Sequence, residues 1–173
     1  MADDQLAWFA DDLAGTLLPT LVFVHQSPER PQDGGLENGE QIQKIMEDAN
    51  RKAGKQRVIA CFSGHHHRDY LRRIGSVLYS QINSASYFWI GSKYQKVRYS
   101  EAIDKTNPYI KYTVPYKESL FAIVTVDVAT GFLAIEGRSS EFVGPSPWAM
   151  GVSRDELDAK TLVPKISNWR TPV

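Results

Sequence analysis

Leu6, Phe9, Ala10 and Leu13 recur at i, i+3, i+4 and i+7 near the start of the chain. That stripe predicts a helix of about three turns, which Gly15 and then Pro19 bring to a close. Thr20 to His25 follows as a short apolar run without alternation, the pattern of a strand covered on both faces. Gln26 to Gly39 holds two prolines and three glycines and reads as a loop. A second stripe at Ile42, Ile45, Met46 and Ala49 predicts a helix ending near Gly54, and Arg57 to Phe62 is a second buried-type strand. Strand, loop, helix and strand in this order predict a right-handed βαβ unit with parallel strands.

The second half reads differently. Leu78–Ile82, Tyr109–Val114, Ser119–Asp127 and Phe132–Glu136 are rich in Val, Ile, Tyr and Phe and predict strands, the last two joined by a tight hairpin at Ala129-Thr130-Gly131. These strands predict an antiparallel extension of the sheet, so the fold class is α/β, a βαβ unit followed by antiparallel strands. From Phe142 onward, Pro, Gly and polar residues predict irregular chain, apart from one short helix after the capping box Ser153-Arg154-Asp155-Glu156. The resulting organisation is one domain over 1–144 with an irregular tail, 145–173, packed on it. A division within the domain, if there is one, falls near Asn107-Pro108.

Composition narrows the function classes. The chain has 173 residues, 42% of them apolar, which suits a single hydrophobic core rather than a disordered chain. Twenty basic side chains balance 20 acidic ones, so no electrostatic footprint for nucleic acid is expected. One cysteine, Cys61, allows no internal disulfide, and its place in an apolar strand suits a core residue better than a nucleophile. No apolar run is long enough to span a membrane. The acidic start also differs from a secretory signal, which leaves the cytoplasm as the default location.

The histidines carry the chemistry. His25 closes the first predicted strand, and Gly64-His65-His66-His67 follows the second by one residue. Parallel strands in such units gather their ligands at the carboxyl edge, so all four histidines are expected there. In an extended segment His65 and His67 share one side while His66 faces away. With His25 they offer three neutral imidazoles to a Zn or similar divalent ion. Taken alone, His25 reads as an ordinary surface or core residue at a strand end rather than a ligand.

Other features have two readings each. Arg68, with Arg72 and Arg73, could hold a phosphate oxygen through its guanidinium fork or form a solvated face. Tyr87-Phe88-Trp89 reads as packing ahead of a pocket wall, and Asn83-Ser84 as a turn ahead of a ligand contact.

His25 after an apolar strand and before Pro28, then Gly64-His65-His66-His67 after the next strand, resemble the last two motifs of the calcineurin-like metallophosphoesterases. The helix from Gln5 to Leu13, the Gln81–Ser86 run and the Thr130-Gly131 hairpin resemble other parts of such a domain, and the resemblance spans residues 4 to 136. It implies an αββα sandwich and hydrolysis of phosphate mono- or diesters by metal-activated water. Carried over, His25 and His65 hold one divalent transition metal (Zn, Mn or Fe) and His67 a second. The family's aspartate-bearing early motifs have no counterpart here, so the resemblance is to the C-terminal half alone.

That shortage has a cost. Two divalent ions about 3.5 Å apart repel by roughly 19 kcal/mol at an effective dielectric of about 20, which only anionic ligands between them offset. Three imidazoles carry no such charge, so metal in the isolated chain is expected to be partial or absent and the chain inactive unless complemented. An apolar sheet face left without its other half favours a partner, either a homodimer mate or a chain carrying the missing N-terminal half. The alternatives are a non-catalytic assembly module and a hydrolase using one Zn on His25, His65 and His67.

Overall fold

The Leu6, Phe9 and Leu13 stripe forms α1 (Asp3–Gly15) in a computed structural model that describes the backbone of all 173 residues and every side chain except that of Asp33. After it come β1 (Thr20–Phe23), α2 (Gly39–Ala53), β2 (Val58–Ser63), β3 (Tyr70–Ile74) and β4 (Val77–Gln81). The four strands form one sheet in the order β1-β2-β4-β3. β1 and β4 both run parallel to β2, while β3 turns back on β4 as an antiparallel hairpin. The parallel β1–α2–β2 unit is therefore present as the pattern predicts.

Alternation along the central strands sorts side chains into layers. Every residue of β2 and β4 is buried. Val77 and Tyr79 turn towards the helices and meet Phe9, Leu13, Ile42, Met46 and Ala49, with Val58 and Cys61 from β2. Ala60, Phe62 and Leu78 turn the other way. Each large side chain withdrawn from water here contributes about 2 kcal/mol, which explains why α2 is held although its outer face is polar. The turn between β3 and β4 is clamped from the same helix, because the Glu47 carboxylate accepts hydrogen bonds from the Ser76 amide at 2.7 Å and the Ser76 hydroxyl at 2.9 Å. Gly75 stands there at φ +56°, and a Cβ on it would lie 2.3 Å from Glu47 Oε1, so the turn requires glycine.

The remaining chain forms β5 (Tyr87–Trp89), α3 (Glu101–Thr106), β6 (Thr113–Pro115), β7 (Ala122–Asp127), β8 (Phe132–Gly137) and β9 (Trp169–Pro172). β7, β8 and β9 make a second, antiparallel sheet whose Leu133 and Ile135 pack with Ile166 against Ala60, Phe62 and Leu78 of the first. The molecule is thus a mixed α/β fold layered as helices, sheet, sheet. β5 and β6 pair as a separate two-stranded ribbon over a smaller core of Phe88, Ile90, Val114, Val152 and Leu162.

Several expectations are corrected. Of the later strands, Leu78–Ile82 does join the first sheet, as β4, but parallel to β2 rather than antiparallel; the strands beyond it form sheets of their own, because Leu133 and Ile135 find burial against the first sheet's face rather than at its edge. Residues 110–112 wind as a 3₁₀ turn, leaving only Thr113–Pro115 as strand. The chain after Ser153 makes turns and no helix; there the Arg68 guanidinium takes the carbonyls of Leu157 and Asp158 that a helix would have used. The tail is not irregular throughout, since Trp169–Pro172 is β9, paired with β8. Ile123, on the outer face of β7, is 60% exposed, so the outermost helical layer of an αββα sandwich does not cover it.

Candidate metal centre

β1 and β2 end side by side, and the chain beyond each is stitched to the other. The His25 carbonyl accepts hydrogen bonds from the amides of Gly64 at 3.1 Å and His65 at 3.0 Å. This brings His25 Nε2 and His65 Nδ1 to 3.1 Å, with the rings nearly perpendicular. Beneath them lies a buried polar layer: Gln81 Nε2 donates to Ser63 Oγ at 2.9 Å, and Gln81 Oε1 accepts from the His66 amide at 3.1 Å. Gln81 thereby fixes the histidine run to the end of β4.

The run itself is not extended. His67 N–H returns to the Gly64 carbonyl at 3.2 Å, and His67 adopts a left-handed backbone at φ +51°. The turn sends His65 and His67 in different directions, which corrects the expectation of two histidines side by side. His65 leans towards the 26–39 loop, where a Cβ at Gly34 would stand 3.6 Å from its Nε2. His67 lies edge-on to Tyr87, ring centres 5.2 Å apart. It shares with His25 an open cavity of about 640 Å³ that Gly64, Ser84, Phe23 and Val124 also line.

Electrostatics favour neutral imidazole at His67. Burial lowers its pKa below the ordinary value, a backbone hydrogen bond with Tyr87 opposes this, and the nearby His65 and His25 lower it further. Neutral imidazole is the form that binds a metal. Among the described residues no group of three or more His, Cys, Asp or Glu side chains is arranged to hold a metal ion. The structure thus joins His25 and His65 and leaves His67 across the cavity.

The other singled-out residues have structural duties. Arg68 stacks over Phe88 at 5.0 Å besides binding the 157–158 carbonyls. Arg72 bonds the Glu29 carbonyl at 3.1 Å, and Arg73 reaches the Pro172 carbonyl and so ties β3 to β9. Asn83 is buried, and Ser84 Oγ accepts from the Ser86 and Tyr87 amides, the turn role expected of this pair. Burial pushes the Cys61 thiol up to about 12, so it is no nucleophile at neutral pH.

Two features escaped the sequence reading. Glu29, its side chain 1% exposed, accepts hydrogen bonds from the hydroxyls of Ser27 and Tyr70 and pairs with Arg72 at 3.6 Å, pinning the loop that follows His25. Tyr87 and Trp89 face outward while Phe88 between them is 6% exposed, so the aromatic run both packs and lines a cleft. Period-two alternation was the available signal for the latter. No protein-family model matches the chain, and no curated protein matches it.

Proposed function

We propose that this chain carries the histidine side of a metal-dependent phosphoesterase centre, hydrolysing phosphate mono- or diesters when a partner supplies the anionic ligands. The observation that carries this reading is the pair of imidazole nitrogens, His25 Nε2 and His65 Nδ1, 3.1 Å apart at the carboxyl edge of adjacent parallel strands. Two nitrogens bound to one tetrahedral zinc at about 2.0–2.1 Å stand about 3.3 Å apart, so the separation of this pair matches, and a divalent transition metal would replace the hydrogen bond the two rings now share. A metal held there supplies Lewis-acid activation of water and of the phosphoryl group. His67, across the cavity, would take a second ion once carboxylates are present to bridge the two.

Two open edges support a complementing partner. β1 ends the first sheet with Phe23 73% exposed, and β7 ends the second with Val124 partly exposed. Both residues line the cavity that holds His25 and His67. A second copy, or a chain carrying the absent half, would add strands at these edges and acidic ligands beside the histidines.

A second reading, a non-catalytic assembly module, is favoured by the lack of a three-donor group among the described residues. Calorimetric titration with Zn²⁺ and Mn²⁺ separates the two. The phosphoesterase reading expects one ion per chain, weakened about tenfold or more in His25→Ala and His65→Ala. It also expects hydrolysis of 4-nitrophenyl phosphate only after the complementing partner is added. Absence of any metal binding sinks it in favour of the assembly module, and fast turnover by the lone chain overturns the need for a partner.

A further inference from the structure

The β5–β6 ribbon builds a second cavity, of about 580 Å³, lined by Tyr87, whose ring also meets His67 at 5.2 Å between ring centres. Its volume is that of a small-molecule site. Its walls are aromatic, with Tyr87, Trp89, Tyr99 and Tyr109 among them, and no residue lining it carries a charge. Strand alternation sets the side chains of Tyr87 and Trp89 on one face of the ribbon, their Cα atoms about 7 Å apart along the strand. That is twice the ~3.5 Å contact distance between carbon atoms, so the spacing admits one flat ring between the two side chains. Trp89 and Tyr109 are 50% and 69% exposed, and each packs against the ring of Tyr112, at 5.9 and 6.1 Å between ring centres, which helps hold the two rings in place.

We infer that this cleft binds the planar aromatic moiety of a phosphoester, an aryl ring or a nucleobase, with the phosphate lying past Tyr87 in the cavity that His67 and His25 share. The lack of charge selects a neutral ring, and the exposed faces of Trp89 and Tyr109 supply stacking. The inference deepens the phosphoesterase reading and rests on it for the phosphate, but ring binding needs neither metal nor phosphate.

The test uses the full chain in EDTA, with adenosine, benzyl alcohol and cyclohexylmethanol as calorimetric probes. Saturable binding of adenosine or benzyl alcohol, at least fivefold tighter than of cyclohexylmethanol, is expected; the tighter of the two aromatic probes says whether the natural ring is a nucleobase or an aryl group. Trp89→Ala and Tyr109→Ala should each weaken it about tenfold, and Trp89→Phe should keep most of it. Tyr109 sits on an exposed loop, so its variant tests the cleft even if Trp89→Ala unfolds. Equal binding of the three probes, no saturable binding, or unchanged affinity in Tyr109→Ala overturns the inference. His25→Ala and His65→Ala leave ring binding intact, so loss of metal binding and loss of ring binding are read separately.

Discussion

The carboxamide of Asn83 is fully engaged by the fold. Its Nδ2 donates to the carbonyls of Val163 at 2.7 Å and Lys165 at 3.1 Å, while Oδ1 accepts from the Tyr116 hydroxyl at 3.1 Å and the Ser84 amide at 2.8 Å. Asn83→Ala strands these partners out of water, which is expected to cost about 3 kcal/mol in urea unfolding. An unchanged midpoint would show that water replaces the amide. At this scale the sequence located the histidines at two strand ends but not the direction each takes. The proximity of His25 and His65 follows from two strand ends, which the pattern located. The left-handed turn at His67 depends on the Gly64 carbonyl, Gln81 and Tyr87, residues up to 20 positions away whose convergence no local pattern records.

Among the elements, α2 owes its place to Ile42 and Met46 and its exposed face to a charge triad. Lys44 and Arg51 bond the Asp48 carboxylate at 2.8 and 2.7 Å. Hydrogen bonding from Lys44 and then Arg51 holds that carboxyl at about 2, below its ordinary value. A folded-state pKa lower than that of the unfolded chain gives stability that is complete above about pH 4 and lost as the pH falls through about 2. Melting curves of the wild type and Asp48→Asn should differ slightly and constantly from pH 7 to 5, converge near pH 2, and converge at every pH in high salt. The strongest elements were legible because α1 and α2 carry a helical period and β1 and β2 are unbroken apolar runs. β3 and β9 were not, since Arg72, Arg73, Arg170 and Pro172 mark them as edge strands, whose polar content resembles loop.

The molecule as a whole has two sheets packed face to face, each ending in an uncovered strand on the side of the histidines. Phe23 and Val124 stand on either side of that opening. Sedimentation of the wild type should show mass rising with concentration, and Phe23→Lys should suppress the rise while leaving the fold intact by circular dichroism. Equal behaviour of the two would mean that this opening does not drive self-association. The layering could not be read from the sequence, because packing of Leu133 and Ile135 on Phe62 and Leu78 joins segments whose patterns suit one extended sheet equally well. Closure of these layers also has a time order. Asp69 Oδ1 and Oδ2 grip the amide and hydroxyl of Ser167, 98 positions later, and Arg73 reaches Pro172. At about 5–20 residues per second, the ribosome releases Ser167 roughly 5 to 20 s after Asp69. For that interval the nascent β2 and β4 lack the cover that the later segments bring, and their apolar face stays open to water.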